Sequence, residues 1–171
     1  RAAVWKEIQA LRSLGYEIDA QPHLGYQLTK IPDKLFADEI MDGLQTEFMG
    51  KPVFSYESLD STNDTVFKMG ESGQAEGVAV FAEHQKKGRG RLGRSWVSPK
   101  NISVLFSYLL RPELGPSQIS RVTLVTGVSI VRACRQITGK PVGIKWPNDI
   151  YYQNKKAGGI LTEMSAESDR I

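Results

Sequence analysis

The 171-residue sequence predicts an α+β protein built on a mixed β-sheet with helices. Three observations carry that prediction. Apolar residues recur at helical spacing in long segments. At least five short runs rich in β-branched and aromatic residues read as strands, each bounded by glycine, proline or asparagine. There is no internal repeat and no low-complexity tract. With 40% hydrophobic and 24% charged residues, the chain has enough apolar material for one ordinary domain, or for one domain and a fragment of another. No apolar run approaches the roughly 20 residues of a membrane span.

Residues 1–30 predict a partial winged helix-turn-helix. Arg1 to Leu14 places Val4, Ile8 and Leu11 on one helical face, and Gly15 is a natural stop. Tyr16 to Ala20 and Gly25 to Thr29 read as a hairpin around Gln21-Pro22-His23-Leu24. A helix followed by a hairpin is the back half of such a module, in which the helix enters the DNA major groove. Arg1 and Lys6 are the candidate DNA contacts. The competing reading is a small scaffolding subdomain. The chain starts inside this helix rather than with a signal peptide, which predicts further residues upstream.

Residues 31–52 predict a linker and a helix: Ile31-Pro32-Asp33, then Leu35 to Phe48, broken by Lys51-Pro52. Residues 53–171 form the main domain. Val53 to Leu59 reads as a strand. Asp60-Ser61-Thr62-Asn63-Asp64 follows, and Val66, Phe67 and Met69 then begin a helix. Ser61, Thr62 or Asn63 could cap that helix, or offer hydroxyls and N–H groups to a polar ligand. Gly77 to Glu83 is the next strand, closed by Gln85, and Asn101 to Leu110 another. Pro116 to Thr138 predicts a long helix ended by Gly139. Val142 to Trp146, Ile150 to Gln153 and Ala157 to Met164 are strands joined by turns at Pro147-Asn148-Asp149 and Asn154-Lys155-Lys156. The single cysteine, Cys134, excludes an intramolecular disulfide framework, fits a reducing, cytoplasmic compartment, and reads as a buried inert thiol. His23 and His84 are far apart, which argues against a structural metal.

The stretch Lys86 to Lys100, KKGRGRLGRSWVSPK, carries six basic residues and no acid. The chain's net charge is +3, so everything outside this stretch is net −3. Gly88, Gly90 and Gly93 alternate with Arg89, Arg91 and Arg94. Glycine lets backbone approach a ligand closely, and arginine offers a planar fork of donors to carboxylate or phosphate. The glycines match G-x-G-x-x-G. However, a strand rather than a helix follows, so this is not a dinucleotide-binding turn, and no Gly-Lys-Ser/Thr makes it a Walker A loop. An anionic-ligand site, a solvated basic loop and a nucleic-acid contact all remain open here. Glycine content and like-charge repulsion predict a loop disordered when empty and closed on ligand.

Four separated segments, in order, resemble the biotin–protein ligases: Asp60-Ser61-Thr62-Asn63; Glu83-His84-Gln85 with Gly88 to Arg94; Lys145-Trp146-Pro147-Asn148-Asp149; and Lys156-Ala157-Gly158-Gly159-Ile160-Leu161. Arg1 through Tyr26 resembles the DNA-binding domain of the bifunctional members, which also repress the biotin operon. The resemblance implies the class II aminoacyl-tRNA synthetase and biotin/lipoate ligase-like catalytic fold over residues 53–171, incomplete at the C-terminus. It also implies a reaction. Biotin and Mg-ATP give biotinyl-5′-adenylate and pyrophosphate, and a lysine of the biotin carboxyl carrier protein takes the biotin.

Carried over residue by residue, the resemblance makes Lys156, Arg89 and Arg91 the catalytic set. Ser61, Thr62, Asn63, Gln85, Gly88, Arg89, Gly90, Arg91, Lys156 and Gly159 become the biotin site. Arg91, Arg94, Trp96, Asn148 and Asp149 lie on the nucleotide side, with Asp149 a Mg²⁺ contact. DNA and a second copy of the chain, as a homodimer, are further implied partners. Leu92 stands where many relatives have arginine, which removes one positive charge from the loop. A lipoate ligase, a biotin-sensing repressor without ligase activity, and a basic-loop nucleic-acid binder are the alternatives.

Overall fold

A computed structural model of the chain describes residues 2–165. The chain forms two units, residues 1–35 and 36–171. In the first, helix α1 (Ala2–Ser13) precedes strands β1 (Glu17–Gln21) and β2 (Gly25–Lys30), which pair antiparallel. Helix and hairpin stand where the spacing predicted them. Gly15 ends α1 at φ +103, and His23 and Gly25 take left-handed φ in the hairpin turn. Ile8 and Ile18 are this unit's buried apolar residues among those described. The Arg12 guanidinium, donating to the Ile18 carbonyl, fastens helix to hairpin.

The second unit opens with a correction. The helix expected over Leu35–Phe48 is only α2 (Ala37–Met41). Asp42 already leaves helical geometry in an extended conformation and Gly43 at φ +69 completes the turn, so the apolar spacing beyond is not helical. Strands β3 (Val53–Tyr56), β4 (Ala79–Ala82) and β5 (Leu105–Tyr108) then form one sheet in the order β3-β4-β5. β4 runs parallel to β3 and antiparallel to β5, so this sheet is mixed as expected. β4 is buried along its whole length, the pattern of a central strand covered on both faces. Helix α3 (Thr62–Glu71) makes the crossover from β3 to β4 and starts beside the strand ends.

The remaining strands do not extend that sheet. β6 (Gly143–Lys145), β7 (Asp149–Tyr152) and β8 (Lys155–Gly159) form a separate antiparallel sheet among the described residues, where a single sheet was expected. Helix α4 (Ile119–Thr138) covers it, with Val131, Val142 and Ile150 as its buried cluster. Cys134 packs against that cluster but is only partly buried, against the expectation of full burial. Gly127 lets α4 lie close to the sheet: a Cβ there would stand 3.4 Å from both Ile144 and Ile160.

Strand boundaries also move. The strand expected from Asn101 begins only at Leu105, because Asn101 sits at φ +62 and Ile102 faces solvent. The last turn is Gln153-Asn154, both left-handed, which is the backbone of a tight hairpin. Lys155 and Lys156 therefore belong to β8, which stops at Gly159 rather than Met164. Asp149 is the first residue of β7 rather than a turn residue. No helix among the described residues is long and apolar enough to cross a membrane.

Candidate functional site

The site begins with the cap of α3. Ser61 is buried, and its Oγ accepts from the Asp64 N–H at 3.4 Å. Of the two readings of this hydroxyl, the structure places it as the cap. Ser61→Ala is expected to lower stability by about 1 kcal/mol, read as a depressed melting temperature. An unchanged melting temperature with weakened ligand binding would instead make Ser61 a ligand contact. Thr62, also buried, faces Gln85, whose Oε1 accepts from the Thr62 N–H at 2.7 Å and lies 2.9 Å from its hydroxyl. The bridge between Leu59 and Gln85 continues the parallel register past β3 and β4, which brings the two motifs level.

The basic stretch is not an open loop. Trp96 N–H donates to Gly88 O at 2.8 Å, Gly90 N–H to Arg94 O at 2.7 Å, and Arg89 bridges Ser95. These make a narrow antiparallel ribbon, tipped by a 3-10 turn over Arg91–Gly93. Carboxylates offset its charge. Lys87 pairs with Asp60 and Lys100 with Glu57, while Arg89 pairs with both Asp64 and Glu163. Four acids, Glu57, Asp60, Asp64 and Glu163, thus pair with the basic stretch. Hydrogen bonding to Lys87 holds the Asp60 carboxyl below its ordinary range, and Asp64 and then Glu163 raise the Arg89 guanidinium further, so it stays charged.

The ribbon then reaches the second sheet. Arg91 Nη1 donates to Asn148 Oδ1 at 3.1 Å, and Asn148 in turn donates to Ile160 O at 2.9 Å. Lys156 Nζ lies 2.7 Å from Asp149 Oδ1 and 5.2 Å from the centre of the Trp96 ring. A Cβ on Gly159 would stand 3.2 Å from that ring, so glycine there leaves the indole its place. A cavity of about 420 Å³ opens beside the ribbon, lined by Gln85, Gly88, Arg89, Arg94, Trp96, Ser98 and their neighbours. Its lining holds four cations, Lys86, Lys87, Arg89 and Arg94, and no carboxylate. That volume suits a small molecule, and that charge suits an anionic one.

Of the expected residues, Gln85, Gly88, Arg89 and Trp96 line this cavity; Thr62, Arg91, Asn148, Asp149, Lys156 and Gly159 connect to it through the contacts above, Asn63 connects through Glu163, and Ser61 borders a second cavity with Asp60 and Asp64. Gly90 and Arg94 shape the ribbon by backbone pairing, and Arg94 lines the cavity away from Asn148. Lys6 is exposed on α1, and Arg1 lies outside the described residues. Three participants were not anticipated: Asp64, Ser107 and Glu163. Ser107 Oγ lies 2.8 Å from Thr62 Oγ1 and also donates to Asn63 Oδ1, while Asn63 Nδ2 donates to Glu163 at 2.8 Å. Ser107 shares the apolar run 101–110 with Ser103, so nothing in the sequence singled it out. Among the described residues no three His, Cys, Asp or Glu side chains cluster as a metal site.

The sequence profile of the biotin/lipoate A/B protein ligases matches residues 55–170, which is most of the chain. The chain belongs to this family. Over all 171 residues this ligase-family chain is 42% identical to the bifunctional ligase/repressor BirA of Bacillus subtilis, covering 53% of that protein. Against the BirA of Escherichia coli K12 it is 36% identical over 169 residues, 98% of this chain and 51% of that one. The chain thus spans about half the length of the curated relatives it matches. Among solved structures, the biotin protein ligase of Aquifex aeolicus in complex with biotin and ATP aligns with TM-score 0.59 and 39% identity, over 68% of this chain and 48% of that one. The Leishmania major ligase with biotinyl-5-AMP aligns with TM-score 0.60 and 29% identity, over 67% and 52%.

Proposed function

We propose that the protein is an ATP-dependent biotin–protein ligase. In this reading biotin's carboxylate attacks the α-phosphate of ATP, forming biotinyl-5′-adenylate and releasing pyrophosphate. A lysine of the biotin carboxyl carrier protein then takes the biotin and releases AMP. The observation that carries it is the ribbon's reach: Arg91 meets Asn148 while Trp96 meets Lys156 and Gly159, beside a cavity of cationic lining. Two anions must approach each other, and fixed positive charge at their junction lowers that barrier. Lys156, Arg89 and Arg91 supply the charge, and the Thr62–Gln85 pair supplies polar partners for biotin's ureido head in place of water. Trp96, Asn148 and Asp149 are assigned to the nucleotide.

Asp149 is one carboxylate already engaged by Lys156, a thin donor set for a resident metal. It fits a Mg²⁺ that arrives on the nucleotide, since Mg²⁺ in such sites takes one or two carboxylates and completes its shell with phosphates and water. Asp149 would be its protein contact, and the ion would neutralise phosphate charge.

The test is pyrophosphate release from ATP by the intact protein, with and without biotin. Release independent of biotin, or none at all, would remove the proposal. Competition between biotin and lipoate separates the two halves of the family's chemistry. Arg91→Gly is expected to loosen the ribbon from Asn148, so that activated biotin escapes and labels bystander lysines. Unchanged acceptor selectivity in a labelling assay would contradict a retaining role for Arg91.

A second role, as a biotin-operon repressor, is supported by the match of residues 1–54 to relatives named ligase/repressor and by a helix–hairpin unit with Lys6 exposed. DNA binding strengthened by biotin is its signature. Steep salt dependence with indifference to biotin would leave only a non-specific basic contact. A homodimer is part of the same proposal, tested by sedimentation with and without biotin.

A further inference from the structure

We propose that Ser98 is a further ligand contact: its hydroxyl donates to an oxyanion of the molecule held in the cavity beside the ribbon. The proposal rests on the ligase reading for the ligand's identity, and on the geometry of residues 86–101 for the site. Ser98 is only 7% exposed, and its Oγ has no hydrogen-bond partner among the described residues. The other buried hydroxyls, Ser61 and Thr62, are both bonded. A buried hydroxyl left unpaired is costly, and folded proteins rarely keep one without a use for it.

Nothing local accounts for this serine. A serine entering a turn ordinarily accepts from an N–H two or three positions on. Here the Asn101 N–H, three positions on, donates to Glu83 O at 3.4 Å instead. Ser98 caps no helix either, since the next element is strand β5. Burial along the segment also runs against side-chain polarity. Val97 is 87% exposed, while Ser98 after it is buried. The chain thus turns an apolar side chain to water and a hydroxyl inward.

The inward side is the cavity, whose lining includes Ser98 together with Lys86, Arg89, Arg94 and Trp96. The Oγ itself is shielded from solvent. One rotation about Cα–Cβ moves a serine oxygen between staggered positions, and no bond holds this one where it is. The cations decide what it would meet. Lys86 and Arg94 enter no ion pair among the described residues. An oxyanion among them takes charge-assisted hydrogen bonds, and a hydroxyl donor adds one more. Carboxylate and phosphoryl oxygens share this chemistry, and the ligase reading supplies one on biotin and the other on ATP.

Ser98→Ala removes the hydroxyl alone. Because that hydroxyl is unpaired, S98A is expected to raise the melting temperature of the intact protein by about 2–4 °C. A fall of that size would show a partner already in place and would overturn the proposal. Ligand binding should move the opposite way. In calorimetric titrations, S98A is expected to bind biotin or ATP about tenfold more weakly, the effect of one lost charge-assisted hydrogen bond. A loss for biotin, with neutral biotinamide held equally by both proteins, assigns the oxyanion to the vitamin's carboxylate. A loss for ATP alone assigns it to phosphate. Biotin and ATP both within about twofold of wild type, or biotinamide weakened as much as biotin, would overturn the contact. A wild-type protein that binds neither biotin nor ATP would sink the ligase reading. Inorganic pyrophosphate would then be the oxyanion probe, and S98A must still bind it more weakly than wild type; equal binding, or none by either, would overturn the role of Ser98.

Discussion

Lys156→Gln is expected to slow formation of biotinyl-adenylate by about 10²–10³-fold, the range seen when one preorganised electrostatic group is removed from an active site. The lysine is well held. β8 carries it, the Asp149 carboxylate lies 2.7 Å from its amine, and the Trp96 ring lies 5.2 Å away. The ribbon positions that ring through the Trp96–Gly88 hydrogen bond. Two unit charges 4 Å apart repel by about 4 kcal/mol in a partly solvated site, so a cation between carboxylate and phosphate has a large barrier to reduce. Folding should barely notice. Both partners of the Lys156–Asp149 pair keep contact with solvent, and such pairs contribute little to stability. The check is a single-turnover measurement of adenylate formation at saturating biotin and ATP, beside a thermal melt. A rate within threefold of wild type would place the catalytic charge elsewhere. Lys156→Arg is expected to rescue only partly, because a planar fork does not reproduce a compact ammonium.

What the sequence made legible was local. Ser61 as a cap, Gly139 as a helix stop and the glycine–arginine alternation are each encoded within a few residues, and each stands where the pattern put it. What it hid was long-range. Glu163 meets Arg89 across 74 positions, and Ser107 meets Asn63 across 44, so no spacing rule reaches either contact. Strand pairing was hidden for the same reason. Alternation reveals that a segment is extended, but not which edge it joins, so one expected sheet became two. The error over Leu35–Phe48 is of another kind. Its apolar spacing was real, but a turn at an extended Asp42 and a left-handed Gly43 outweighed it. The counter-charges of the basic ribbon were hidden because they are scattered along the sequence. Asp60, Asp64, Glu57 and Glu163 assemble around it only once the chain has folded.

Those scattered contacts give Gly88→Ala the second large effect. A Cβ at residue 88 would stand 2.6 Å from the Trp96 carbonyl oxygen and 3.2 Å from Gln85 Nε2. The first distance cannot be tolerated, and it involves backbone, which does not swing aside as a long side chain can. Relief requires the two arms of the ribbon to separate, which breaks the Trp96–Gly88 hydrogen bond and draws the indole from Lys156 and Gly159. Forced overpacking of this kind typically costs about 1–3 kcal/mol. Because the ribbon is clamped elsewhere by Arg89 and Lys87, much of that strain should fall on the site rather than on global folding. Biotin affinity is expected to drop by about 10- to 100-fold, the same 1–3 kcal/mol expressed as binding. Melting should shift by only a few degrees. Equilibrium titration with biotin tests the first expectation and a thermal scan the second. Unaltered biotin affinity would mean that the ribbon's closure over Trp96 plays no part in holding the vitamin, and Lys156 would then have to act without its aromatic wall.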